Sequence, residues 1–174
     1  MRTTAEFLVV AFATILASGT ARADPFTARE RSCISDAARY HHVSPRLLEA
    51  IARVESNGNA HAIHRNPNGF SDLGLMQIDT AWVPTLSHYG IRSDELFDPC
   101  ISLYVAAWLL SRNIAQLGLT WSAVGAYNAR TPSKRIEYAS KVYRALNQPV
   151  SAGPMFQQPA NPPHTQSTLA RAAQ

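Results

Sequence analysis

The sequence predicts a mainly α, single helical domain with room for one small hairpin and one disulfide. Three observations carry that prediction. Apolar residues recur three or four apart in several capped segments, no stretch alternates apolar and polar residues for long enough to argue a sheet, and 174 residues suffice for one real core.

Residues 1–23 read as a cleavable export signal, with Arg2 near the start, an apolar run from Phe7 to Ala17, and small residues ending Ala21-Arg22-Ala23. A spanning helix needs about 20 apolar residues, so this run is too short to anchor the chain, and no stable membrane insertion is expected after cleavage. The folded domain is expected over residues 24–148 and a tail over residues 149–174. Cys33 and Cys100 are the only cysteines and both fall in the exported part, so an oxidising compartment would pair them. On the chain-entropy account that closure stabilises the fold by roughly 4 kcal/mol.

From Cys33 onward, Ile34, Ala37, Ala38 and His41 keep helical spacing, which predicts a first helix ending near His42. Ser44 followed by Pro45 is an N-cap with proline in the first turn, and Leu47, Leu48, Ile51 and Val54 form the apolar stripe of a second helix that Asn57-Gly58 ends. Residues 59–73 are rich in His, Asn, Pro, Gly and Ser and predict an irregular loop that can hold a hairpin near Phe70. Asp98-Pro99 opens a long helix with Ile101, Tyr104, Val105, Trp108, Leu109 and Leu117 toward the core, stopped by Gly118. Thr120 caps a short helix through Trp121, Val124 and Tyr127. After Thr131-Pro132 a last helix offers Ile136, Ala139, Val142, Tyr143 and Leu146 as its apolar set. The tail carries five prolines, one charged side chain (Arg171) and one bulky apolar pair, Met155-Phe156. It is expected to be disordered, the alternative being a docking segment for a partner.

The net charge of +4 falls by one when Arg2, Arg22 and Glu6 leave with the signal. So small a surplus suits an anionic polymer. No cluster of Lys and Arg with interleaved aromatics points to nucleic acid. His61 and His64 lie in the predicted loop without a third ligand spaced to join them, so no metal site and no cofactor are expected.

The clearest chemical signal is Glu55, which lies on the same helix face as Ile51 and Leu48 and at the helix C-terminus. Poor solvation and the negative end of the helix dipole both raise its pKa and favour the neutral acid. Cleaving a glycosidic bond needs such an acid, because the leaving oxygen must receive a proton. By itself a glutamate ending a helix is more often a surface residue.

Its company is more specific: Glu55-Ser56, then Gly74-Leu75-Met76-Gln77-Ile78 after the loop, then Ala126-Tyr127-Asn128 closing a later helix. With these motifs in this order the sequence resembles the lytic transglycosylases of the goose-lysozyme-like (SLT) fold, over residues 33–146. It looks most like the small exported members that accompany type III and type IV secretion systems and pili. The resemblance implies a periplasmic, monomeric enzyme acting on peptidoglycan glycan strands, with secretion-system or pilus components as further partners. It implies Glu55 as acid and then base, with Ser56 holding the local hydrogen bonds. Gly74 would let the backbone pass close to the sugar, Met76 and Gln77 would line the cleft, Tyr127 would reach Glu55 or the substrate, and Asn128 would offer its amide. It also implies that no second carboxylate is needed, so Asp72 reads as a turn residue and Asp79 as a cap. Two rivals stay open: a true hydrolase in which Asp72 or Asp79 positions water, and a non-catalytic adaptor that only grips glycan.

Overall fold

The computed structural model describes residues 24–148. The export signal of residues 1–23 and the tail of residues 149–174 lie outside the described residues. Six helices and a small sheet follow in the order α1 (Ala28–Tyr40), α2 (Pro45–Glu55), β1 (Ile63–Arg65), β2 (Ser71–Leu73), β3 (Ile78–Asp79), α3 (Val83–Ser87), α4 (Pro99–Leu117), α5 (Trp121–Gly125) and α6 (Pro132–Leu146). Turns of 3-10 helix at Thr80–Trp82 and Ser93–Phe97 flank α3. The architecture is the mainly helical one that the spacing predicts.

Capping fixes most helix starts. Ser44 accepts from the Leu47 amide at 3.4 Å, Asp98 accepts from the Cys100 and Ile101 amides at 2.8 and 3.1 Å, and Thr120 accepts from Ala123 at 3.3 Å. Helix α1 begins at Ala28, earlier than the apolar spacing indicates, because Thr27 and Glu30 cap each other reciprocally. Cys33 therefore sits inside α1, not at its start. It bonds Cys100 in the first turn of α4, with 5.2 Å between the α-carbons, and ties the two helices together.

The predicted loop over residues 59–73 is more ordered than its composition indicates. It supplies β1 and β2, which pair antiparallel with Ile63 opposite Leu73, and β3 adds a third strand with Leu73 opposite Ile78. A tight turn from Asn66 to Phe70 closes the hairpin, with the Asn66 amide donating to the Phe70 carbonyl at 2.9 Å. Strands of two or three residues are too short to show alternation, which is why the sequence hides them.

Helix α4 runs through the middle of the fold and packs against α1, α2, α5 and β3. Its buried arc is Ser102, Leu103, Val105, Ala106, Ala107 and Leu110, wider than the predicted stripe. Tyr104 and Leu117, expected inside, are on the exposed side. The alanines explain the shift: small side chains let neighbouring helices approach, so the burial follows them and not the bulkiest residues. On α6 likewise Tyr138 and Val142 face in, while Ile136 and Tyr143 face out. The core joins Leu48 and Ile51 of α2 to Leu75, Met76 and Ile78, to Leu103 and Leu110, and to Val142. Among the described residues no helix is long and apolar enough to cross a membrane.

Candidate active site

Helix α2 delivers Glu55 to the floor of a cleft. Ile51 and Leu48 are fully buried one and two turns earlier, so the helix phase that packs them also turns Glu55 toward the interior. The helix stops there because Asn57 and Gly58 take positive φ. The cleft, about 880 Å³, runs between the sheet and the α5–α6 connection, with Asp72, Gln77, Trp82, Tyr127 and Asn128 along its walls.

Tyr138 of α6 donates its phenol hydrogen to Glu55 Oε1. Burial pushes the Glu55 carboxyl up to about 7, the Tyr138 hydrogen bond opposes that rise, and the charge of Asp72 adds to it. The carboxyl is thus poised to give and to accept a proton near neutral pH. Tyr138 and Tyr127 stack with ring centroids 6.3 Å apart, and burial holds both phenols well above their usual range, so both remain donors.

The other motif residues form the frame around this acid. Ser56 Oγ donates to the Leu75 carbonyl at 2.7 Å and locks the end of α2 to the glycine motif. Gly74 has φ +74°, and a β-carbon there would lie 2.0 Å from the Leu96 carbonyl oxygen. What passes close to Gly74 is therefore the turn before α4, not open cleft. The Met76 side chain is fully buried and packs in the core, so it does not line the cleft. Its backbone does the positioning: the amide donates to Ser102 Oγ at 3.2 Å, and the carbonyl accepts the Tyr127 hydroxyl at 3.0 Å. Tyr127 thus braces the motif, and the direct partner of Glu55 is Tyr138. Gln77 has a positive φ of 48°, and its side-chain amide nitrogen donates to the carbonyls of Ala62 and Gly74 at 3.1 and 2.9 Å. Gln77 is also one of the residues that line the cleft. Asn128 is exposed on the cleft wall.

Tyr138 is the residue that the sequence reasoning missed. The signal lay in its spacing, four before Val142, which puts it on the inward face that Ile136 and Tyr143 were expected to share. His64, Asp72 and Asp79 sit opposite one another across the three strands and all line the cleft. Asp72 accepts from the Asn66 side-chain amide at 3.1 Å, and burial raises its pKa, with the neighbouring Asp79 charge raising it further. Asp79 also caps the 3-10 turn through the Ala81 amide at 2.8 Å. Among the described residues no group of His, Cys, Asp and Glu side chains could hold a metal ion.

Residues 32–146 match the family described as the transglycosylase SLT domain. The chain belongs to this family. X polypeptide of Escherichia coli is 40% identical over 119 residues, covering 64% of this chain and 70% of that protein. Invasion protein IagB of Salmonella typhi is 41% identical over 124 residues, covering 67% and 78%. Protein IpgF of Shigella flexneri is 38% identical over 117 residues, covering 64% and 77%. Among solved structures, an inactive mutant of lytic transglycosylase Slt from Pseudomonas aeruginosa superposes with a TM-score of 0.55 at 21% identity. That match spans 67% of this chain and only 23% of the Slt chain, and it establishes that the SLT fold is shared.

Proposed function

We propose that this SLT-domain protein is a periplasmic peptidoglycan lytic transglycosylase with Glu55 as its single acid and base. The observation that carries the reading is a carboxyl raised to about 7 on the floor of a glycan-sized cleft, held by a phenol donor. Glu55 protonates the β-1,4 glycosidic oxygen as the bond from C1 of N-acetylmuramic acid breaks, and the leaving N-acetylglucosamine carries that proton away. The 2-acetamido group of the same sugar stabilises the cationic C1. Glu55, now ionised and stabilised by the Tyr138 hydroxyl, takes the proton of the C6 hydroxyl, and that oxygen bonds C1 to give the 1,6-anhydro ring. Gln77 and Asn128 supply amides to the sugar, while Ser56, Gly74, Met76 and Tyr127 hold the frame. No cofactor enters this scheme. Export through residues 1–23 delivers the enzyme to its substrate as a monomer, and the likeness to IagB, named an invasion protein, supports local wall opening for a secretion system or pilus.

A second reading, hydrolysis, is favoured by one observation: Asp72 stands in the cleft wall close enough for its charge to raise Glu55. If Asp72 positions a water, the product ends in a reducing sugar. Mass spectrometry of digested sacculi decides, because anhydro ends lack the water that reducing ends contain. Anhydro ends are expected; reducing ends alone would transfer the assignment to the hydrolase.

A further inference from the structure

On the side of α6 away from Glu55 lies a second concavity of about 550 Å³, walled by α5 and α6 and sharing no lining residue with the cleft. Trp121 and Tyr143 meet edge to face across it at 5.4 Å, and Pro132, Arg135, Ile136 and Arg144 complete it. Ile136 is 70% exposed, Tyr143 54% and Trp121 44%. Surface this apolar and concave is uncommon without an occupant.

We propose that this groove docks the chain's own segment of residues 149–156, folded back along α6. The last described residue, Gln148, lies four residues beyond Arg144, which lines both this groove and the neighbouring hollow that Gln148 shares with Arg53 and Asn57. Returning from Leu146 to Ile136 requires about 15 Å at helical rise. Eight residues in extended polyproline geometry reach about 25 Å, which leaves enough chain for the reversal. The composition fits as well: Pro149 and Pro154 precede Met155-Phe156, and the segment carries no charge that Arg135 or Arg144 would repel. Aromatic-lined grooves take up extended proline-containing segments because little conformational freedom is lost and the carbonyls stay free for donors such as Arg144.

The test is NMR on the oxidised, isotope-labelled chain of residues 24–174. Nuclear Overhauser contacts between the Phe156 ring and the Ile136 methyls are expected. The Trp121 indole resonance, assigned with Trp121→Phe, should move in Met155→Ser/Phe156→Ser while those of Trp82 and Trp108 stay fixed. No such contacts together with an unmoved Trp121 resonance would overturn the proposal and leave the groove to another partner. A Trp121 shift that disappears on dilution, with sedimentation reporting a dimer, would overturn it equally by assigning the groove to a second copy. Because the groove shares no lining residue with the cleft, failure of the glycan-cleavage reading leaves this outcome unaffected.

Discussion

The two faces of α6 carry similar residues and have opposite roles. Tyr138 and Val142 point inward, where the Tyr138 hydroxyl meets Glu55 in poorly solvated surroundings. Ile136 and Tyr143 point outward and wall the second groove. The inner face acts through one hydrogen bond whose worth is multiplied by burial, whereas the outer face acts through apolar area alone. Disturbing the first should therefore change the chemistry, and disturbing the second should change only what the helix holds.

The largest effect expected is on the inner side, at the acid itself. Glu55→Gln should abolish cleavage of purified sacculi, since an amide neither gives nor takes the required proton. Retention of more than a few per cent of wild-type turnover would remove Glu55 from its role. The same variant also has a stability signature. Burial raises the folded-state pKa of Glu55 from 4.5 to about 7, so the folded state holds the proton more tightly than the unfolded chain does. Wild-type stability is therefore lost as pH rises from about 4.5 to about 7, by up to about 3 kcal/mol. Glu55→Gln should lack that loss, and denaturant melts at pH 4 and pH 8 measure it.

Next comes Tyr138→Phe, which keeps the ring and removes the donor. A hydrogen bond to an ionised group is worth about 1.5–3 kcal/mol, so turnover should fall roughly tenfold to a hundredfold. The Tyr138 donor lowers the Glu55 pKa, so its loss should move the high-pH limb of the rate profile upward even as the maximum falls. A lower maximum with an unmoved limb would mean that Tyr138 acts only as packing. Reduction of Cys33–Cys100 touches neither face directly and should lower stability by roughly 2 to 5 kcal/mol, with turnover retained below the new melting temperature. Thiol labelling with parallel melts reports it.

The sequence made the cleft more legible than the two faces of α6. Glu55 could be placed because Leu48 and Ile51 fix the phase of α2 and because a Ser-Pro start and an Asn-Gly stop bound it. The caps at Asp98 and Thr120 were readable for the same reason: local hydrogen bonds leave local signatures. What stayed hidden depends on packing between distant segments. Met76 looks like a cleft residue in the motif and is core, because Ser102 of α4 and Tyr127 of the turn after α5 fasten its backbone. Tyr138 looked no more inward than Tyr143 until α2 and α5 chose which side of α6 to cover. Gly125 records that choice, since a β-carbon there would lie 2.4 Å from the Arg135 carbonyl oxygen, and no single-helix pattern contains that contact.

The smallest effect belongs to the outer face, and its absence is the sharpest form of the comparison. A chain ending at Gln148 lacks the segment proposed for the groove beside Trp121 and Tyr143, yet it retains every residue that lines the cleft. Val124 and Val142, on the two helices that wall the groove, are buried and line neither the groove nor the cleft, and packed side chains transmit little when only surface contacts are removed. The shortened chain should therefore fold and turn over purified sacculi at the rate of the chain of residues 24–174, with its melting temperature lowered by no more than a few degrees. Circular dichroism and side-by-side turnover measure both. A loss of more than tenfold with the fold intact would mean that the outer face is coupled to Tyr138 across the helix, and the separation of roles between the two faces of α6 would have to be abandoned.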